Sequence, residues 1–277
     1  MPAYNSAQRA AISQFVNFTQ AKESIAARLL KSHDWDVERA VNAHYTGSSN
    51  SGPSQSQQSI RKIFDTYRDD ATNEPGRIGM EGVMKYFEAI DVALDDVSFV
   101  VAFELLEAPS MGEFSREGFV NGWTNASTPS NPCDTLDRQR SYIKSLVQKL
   151  SSDPAYFKQV YKGSFKYAKP EDKRAIPVED AFAFWDMFFG GQKGGIDWGS
   201  KGTNWYELWR EYYTSKNSRP VNKDLWGQVA ELVSKTREPG GETLEWWSED
   251  GAWPTAVDDF VAFVKEKRGA AGGMDTS

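Results

Sequence analysis

Two adjacent acid pairs, Glu249-Asp250 and Asp258-Asp259, flank a Trp-Pro step in the stretch SEDGAWPTAVDDFVAF, residues 248–263. Carboxylates grouped in this way can protonate and attack a glycosidic bond, ligate a hard cation, or dock a basic partner. The surroundings decide between these. From Glu238 to Val264 the acids are Glu238, Glu242, Glu245, Glu249, Asp250, Asp258 and Asp259, with no Lys or Arg among them. These 7 charges equal the net charge of −7 for the whole chain, so the remaining residues sum to near neutral. Trp226, Trp246, Trp247 and Trp253 lie in or beside the segment. Concentrated negative charge with large apolar anchors argues against nucleic acid and for a basic protein partner. The bland alternative is a solvated acidic rim over core tryptophans.

The rival chemistries lack their other parts. A hydrolase built on a carboxylate pair has the tryptophan platforms it needs here, but no strands to carry them, and its acids are neighbours along the chain. A metal site has few ligands: Cys133 is the one cysteine and His33 and His44 the two histidines, so thiolate-rich and multi-histidine sites are out, as are internal disulfides. Two helix–loop–helix stretches within residues 60–123 have the rhythm of paired EF-hands. In the first loop, read from Asp70, Thr72, Glu74 and Glu81 fall at ligand positions but Pro75 replaces the glycine. In the second, read from Glu107, Gly112 and Phe114 fit, while Pro109, Met111 and Gly118 occupy ligand positions. The packing of EF-hands is expected without the calcium chemistry. GGQKGGIDWGSKGT, residues 190–203, follows an apolar helix rather than a strand, and Lys201 precedes glycine, so it reads as a surface insertion and not a phosphate loop. There is no GxSxG, and both histidines lie far from Cys133 and the acids.

The elements that position the acids are helices, and the fold class is all-α. With Pro254 as the first helical residue, Val257, Phe260, Val261 and Val264 share one face. At about 100° per residue, Asp259 then points into water and Asp258 sits on the shoulder, where a docked partner could partly bury it. Asn222 caps a helix carrying Leu225, Val229, Leu232 and Val233, and Asp224 in its first turn is favoured by the helix dipole. Asp153-Pro154 opens a helix with Phe157, Val160, Tyr161 and Phe165 inward, and Pro177 another with Val178, Ala181, Phe182 and Trp185.

A small head precedes this body. Residues 1–45 read as three short helices, the third capped by Asp36. TGSSNSGPSQSQQS, residues 46–59, has no charge and no large apolar side chain, and reads as a flexible linker spanning roughly 20 Å. The body runs over residues 60–268, and 269–277 is expected to be a disordered tail. The first residues lack an apolar signal core, and no run approaches the ~18 apolar residues of a membrane span. A monomer, cytoplasmic or nuclear, without cofactor or membrane contact, is the expectation.

KDLWGQVAELV followed by EDGAWPTAVDDFVAF resembles the C-terminal signature of the defective-in-cullin-neddylation family. The likeness extends through EFSREGFVNGW, YFKQVYKGSFKYAK and AIPVEDAFAFWDMFF, essentially all of 60–268. The head, with WDVERAVN at its third helix, is similar to a ubiquitin-associated domain. Such a domain's Met-Gly-Phe loop is replaced by Phe18, Thr19 and Gln20, which are its candidate ubiquitin contacts. The resemblance implies a non-catalytic scaffold that holds a cullin's C-terminal winged-helix region and a charged conjugating enzyme together. The family's Asp–Ala–Asp cullin-binding patch falls on Asp224, Ala252 and Asp258. The acetylated N-terminal methionine of the conjugating enzyme would occupy an apolar pocket around the EF-hand-like helices, with candidates Val101, Leu105, Phe114, Phe119, Phe157 and Phe182. Ubiquitin binding by the head alone is the alternative function.

Overall fold

The computed structural model describes residues 4–19, 21–45, 54–191, 193–200, 202–216, 219–248, 250–251 and 253–274. The chain divides into two compact units, residues 1–58 and 59–277. Both are helical, which bears out the all-α reading.

In the first unit, helices α1 (Ser6–Thr19), α2 (Glu23–Ser32) and α3 (Val37–Tyr45) close on Ile12, Phe15, Ala26, Leu29, Leu30 and Ala40. Asp34 and Trp35 take left-handed conformations (φ 53° and 64°) in the α2–α3 turn. Asp36 then caps α3 by accepting from the Arg39 N–H at 3.1 Å. Helix α4 (Gln55–Thr66) starts inside the serine-rich stretch expected to be linker. The physical reason is a reciprocal cap. Ser54 Oγ accepts from the Gln57 N–H, and Gln57 Oε1 accepts from the Ser54 N–H, both at 3.2 Å. Residues 46–53 lie outside the described residues.

The second unit opens with the EF-hand-like pair. Strand β1 (Arg77–Ile78) leads into α5 (Met80–Ala89), and after α6 (Val97–Leu105) strand β2 (Phe114–Ser115) leads into α7 (Arg116–Ala126). β1 and β2 pair antiparallel, Ile78 opposite Phe114, as the two loops of such a pair do. Their acids are engaged internally. Asp70 accepts from the N–H groups of Thr72 and Asn73, Glu74 and Glu113 flank Arg77, and Glu81 pairs with Lys85 at 2.8 Å. Among the described residues, no three His, Cys, Asp or Glu side chains are grouped to hold a metal ion.

The rest is a helical stack: α8 (Leu136–Ser152), α9 (Pro154–Gly163), the single-turn α10 (Phe165–Ala168), α11 (Val178–Phe189), α12 (Trp205–Lys216), α13 (Lys223–Arg237) and α14 (Thr255–Met274). Asp153 caps α9 by accepting from the Ala155 and Tyr156 N–H groups, both at 3.0 Å. The YFKQVYKGSFKYAK segment is broken at Ser164, just after Gly163, where a side chain would run into the Glu104 carboxylate. α14 continues to Met274, through part of the expected tail.

The glycine-rich loop is a correction. It is not a surface insertion, because Ile196 and Trp198 are fully buried. Trp198 Nε1 donates to Thr236 Oγ1 of α13 at 2.8 Å, and the Ile196 N–H donates to the Phe188 carbonyl at 2.7 Å. At Gly195 a Cβ would run into the carbonyl oxygens of Met187 and Phe188, so the glycine permits this close approach. Gly199–Ser200 (β3) and Thr203–Asn204 (β4) close the loop as a short hairpin. Trp198→Ala is therefore expected to cost about 3–5 kcal/mol. Urea unfolding checks it: a change within the scatter of surface substitutions would mean the loop is dispensable.

Candidate partner-docking site

Asp224 stands exposed in the first turn of α13. Asn222 Oδ1 accepts from the Leu225 N–H at 2.8 Å, and Val221 just before it is bridged to Ile176 by two 2.8 Å backbone bonds. Two residues on, the Trp226 ring lies parallel to Tyr161 (centroids 4.7 Å apart) and to Trp185 (5.8 Å). Its Nε1 donates to the Tyr161 carbonyl at 2.8 Å, and Trp185 Nε1 donates to the Tyr161 hydroxyl at 2.8 Å. The carboxylate of Asp224 thus projects from a backbone turn fixed at both ends. Beside it, between α9 and α13, runs a groove of about 560 Å³ lined by Lys162, Lys223, Trp226, Gly227, Gln228 and Glu231 as well as Asp224.

Glu231 in that groove accepts from Lys158 at 2.7 Å and Lys162 at 2.9 Å. Burial pushes its pKa up, but the two ammonium groups outweigh burial and hold the carboxyl below its ordinary value.

Asp258 starts the other helix. The Pro254 carbonyl accepts from the Val257 N–H at 2.7 Å and the Asp258 N–H at 3.2 Å, so the helix begins where the proline placed it. Val257, Phe260, Val261 and Val264 are buried, Asp259 is exposed and Asp258 is half-buried, as the helical wheel requires. Trp247 Nε1 donates to Asp258 Oδ1 at 2.9 Å, and the Lys265 ammonium lies 4.2 Å from the centre of the Trp247 ring. Trp246 in turn meets Trp253 edge-on (5.5 Å) and donates to the Gly241 carbonyl at 3.0 Å. A left-handed Leu244 (φ 63°), its side chain buried, turns the chain so that these rings cover the start of α14. Ala252, the third residue of the expected patch, lies outside the described residues. The groove beside Asp224 is not lined by Asp258; the two acids are related through α13 and α14, which pack on each other.

The six apolar pocket candidates are dispersed. Val101, Phe114, Phe119 and Phe157 are fully buried, while Leu105 and Phe182 are half-buried. Phe114 and Phe119 pack with Tyr86, Phe157 packs with Tyr161, Phe188 and Phe189, and Phe182 lies against Trp185 and Tyr213. Apolar type and helical spacing select such residues for the core as readily as for a pocket wall. A concavity of about 340 Å³ does open between the turn before β2 and α10–α11. Met111, Lys166, Tyr167, Pro170, Ala183 and Phe184 are among its lining residues, and none of the six candidates is. In the head, Phe18 at the end of α1 is 63% exposed, Thr19 donates to the Phe15 carbonyl at 2.8 Å, and Gln20 lies outside the described residues.

Sequence reasoning counted Trp247 among the anchors of the acidic segment but did not pair it with Asp258, from which it is separated by a turn with no periodicity to read. Lys265 carried a signal, seven residues after Asp258 on the same helix. Gly227 and Lys162, brought together by the α9–α13 packing, carried none.

An exposed acid and an indole-held acid at two helix starts can dock cations. Residues 138–263, which contain both acids, match the family model described as cullin binding, and residues 9–51 match that of a UBA-like domain. The molecule is thus of a class that joins a UBA-like head to a cullin-binding helical body. A protein from Pyricularia oryzae, "Defective in cullin neddylation protein 1", is 30% identical over 97% of both chains. Proteins of the same name from Cryptococcus neoformans var. neoformans (31% identical, 93% of this chain and 94% of that one) and Caenorhabditis elegans (26%, 96% and 92%) are also similar. The chain belongs to the defective-in-cullin-neddylation family.

Because Glu231 titrates below its ordinary value when folded, its contribution to stability is present above about pH 4.3 and is lost as pH falls through the folded value. Glu231→Gln is expected to be less stable than wild type near neutral pH, with the difference closing in acid. Urea titrations across pH 2.5–7 (~) check this; a gap independent of pH would contradict it.

Proposed function

We propose that this protein promotes cullin neddylation as a scaffold. It would hold the C-terminal winged-helix region of a cullin and the conjugating enzyme charged with the ubiquitin-like modifier, so that the modifier passes to a cullin lysine. The carrying observation is the half-buried Asp258, fixed by the Trp247 indole at the start of α14 and set in a segment with seven acids and no bases. A basic cullin surface is its electrostatic complement. Membership of the family and the cullin-binding match over residues 138–263 support the same reading.

Catalysis is then orientation. The thioester and the attacking lysine belong to the partners, and fixing them together lowers the entropic part of the barrier. The groove lined by Met111, Tyr167 and Phe184 is the better candidate for the acetylated terminus of the conjugating enzyme than the buried phenylalanines. It is open, partly apolar and adjacent to the EF-hand-like pair, and an acetyl cap removes the charge that such a surface would otherwise have to desolvate. A second reading, a ubiquitin-binding adaptor, has one observation in its favour, the exposed Phe18.

The test is the rate of modifier transfer from charged conjugating enzyme to a cullin, with no addition, with this chain, and with Asp258→Lys checked for folding by circular dichroism. Stimulation by wild type that the folded variant loses by at least about tenfold is expected, since reversing a docked charge costs a few kcal/mol. No stimulation with several cullins would refute the scaffold. Retained stimulation by the variant would move the docking surface away from α14.

A further inference from the structure

Gly227 lies in the second turn of α13, in the interior of a helix, where glycine is destabilising relative to alanine. Close packing explains other glycines of this chain: at Gly82, Gly163 and Gly195 an added Cβ would run into backbone or a carboxylate. It does not explain Gly227. A Cβ there would find nothing nearer than Lys162 Cε, at an ordinary van der Waals distance of 3.9 Å. Nor does its backbone adopt a left-handed conformation, since it lies within the regular helix. Neither close packing nor backbone conformation requires this glycine. What its missing side chain leaves open is the groove between α9 and α13, with Gly227 partly exposed within it.

The groove is continuous with Asp224, which lines it. Its other carboxylate, Glu231, is already neutralised by Lys158 and Lys162, so Asp224 is the acid left to answer a partner's cation. Trp226, one of the groove's lining residues, is locked against Tyr161 and Trp185.

We infer that Gly227 is a specificity-determining residue of the docking surface: it keeps the α9–α13 groove open so that the basic partner segment binding Asp224 can lay its neighbouring chain against the α13 backbone. This rests on the proposed cullin-docking reading, and the occupant is that same partner. Close approach to a helix surface demands the smallest residue at the point of contact, which is why a stability-costing glycine is kept here.

The experiment measures affinity for a purified cullin C-terminal region by calorimetry, together with urea unfolding, for full-length wild type, Asp258→Lys, Gly227→Ala and Gly227→Gln. Gly227→Ala is expected to raise the unfolding midpoint while weakening binding. Gly227→Gln, which fills the groove, is expected to weaken binding by about tenfold or more, the size of an overpacking penalty. Binding by Gly227→Gln equal to wild type, with Asp258→Lys still impaired, overturns the role of Gly227 and leaves the docking reading intact. A lowered midpoint for Gly227→Ala also overturns it, since the glycine would then serve the fold. If wild type does not bind, or Asp258→Lys binds equally well, the docking reading falls and the inference with it.

Discussion

Trp226 stacks with two aromatic rings, Tyr161 from α9 and Trp185 from α11, with planes within 8° and 12° of its own. All three are fully buried, and the two indole N–H groups are satisfied by the carbonyl and the hydroxyl of the same tyrosine. Burying a Trp or Tyr is favourable only if its polar atom finds a partner; here one tyrosine serves both tryptophans. Each stacked pair adds about 0.5–1.5 kcal/mol beyond burial of area. The consequence is geometric as much as energetic. Three helices meet at one point, and the first turn of α13, with Asp224 on it, is fixed relative to α9. α13 then carries α14 on its flank and receives Trp198 from the glycine-rich loop at Thr236.

On this base the two acids are presented differently. Asp224 relies on position: an exposed carboxylate at a helix start, favoured by the dipole and free of strong desolvation. Asp258 relies on a specific donor, the Trp247 indole, which occupies one oxygen and fixes the carboxylate's orientation before any partner arrives. Preorganised charge of this kind favours selectivity and fast encounter more than raw affinity. It suits a scaffold whose proposed task is to orient two other proteins and release them.

Local rules made much of this readable. The caps at Asp36, Asp153 and Asn222 and the stripe Val257–Phe260–Val261–Val264 follow from side-chain chemistry within one helical turn or two, and each stands where it was expected. The half-burial of Asp258 against the exposure of Asp259 followed from the same wheel. What could not be read depends on contacts distant in sequence. Trp198 looked like part of a glycine-rich surface loop because its partner, Thr236, lies 38 residues away. Phe114 and Phe157 looked like pocket walls because apolar character does not distinguish a filled core from an open cavity. The end of the serine-rich stretch was misread for a nearer reason: Ser54 and Gln57 form a capping box within a composition that otherwise signals coil.

The central claim is that partner docking is a property of the helix starts in the body, not of the UBA-like head. Amide hydrogen exchange of the full chain, with and without a purified cullin C-terminal region, tests it most directly. The account predicts new protection at residues 222–228 and 253–259, with little change over 6–45. Protection confined to the head, with both helix starts exchanging as in the free protein, would contradict it.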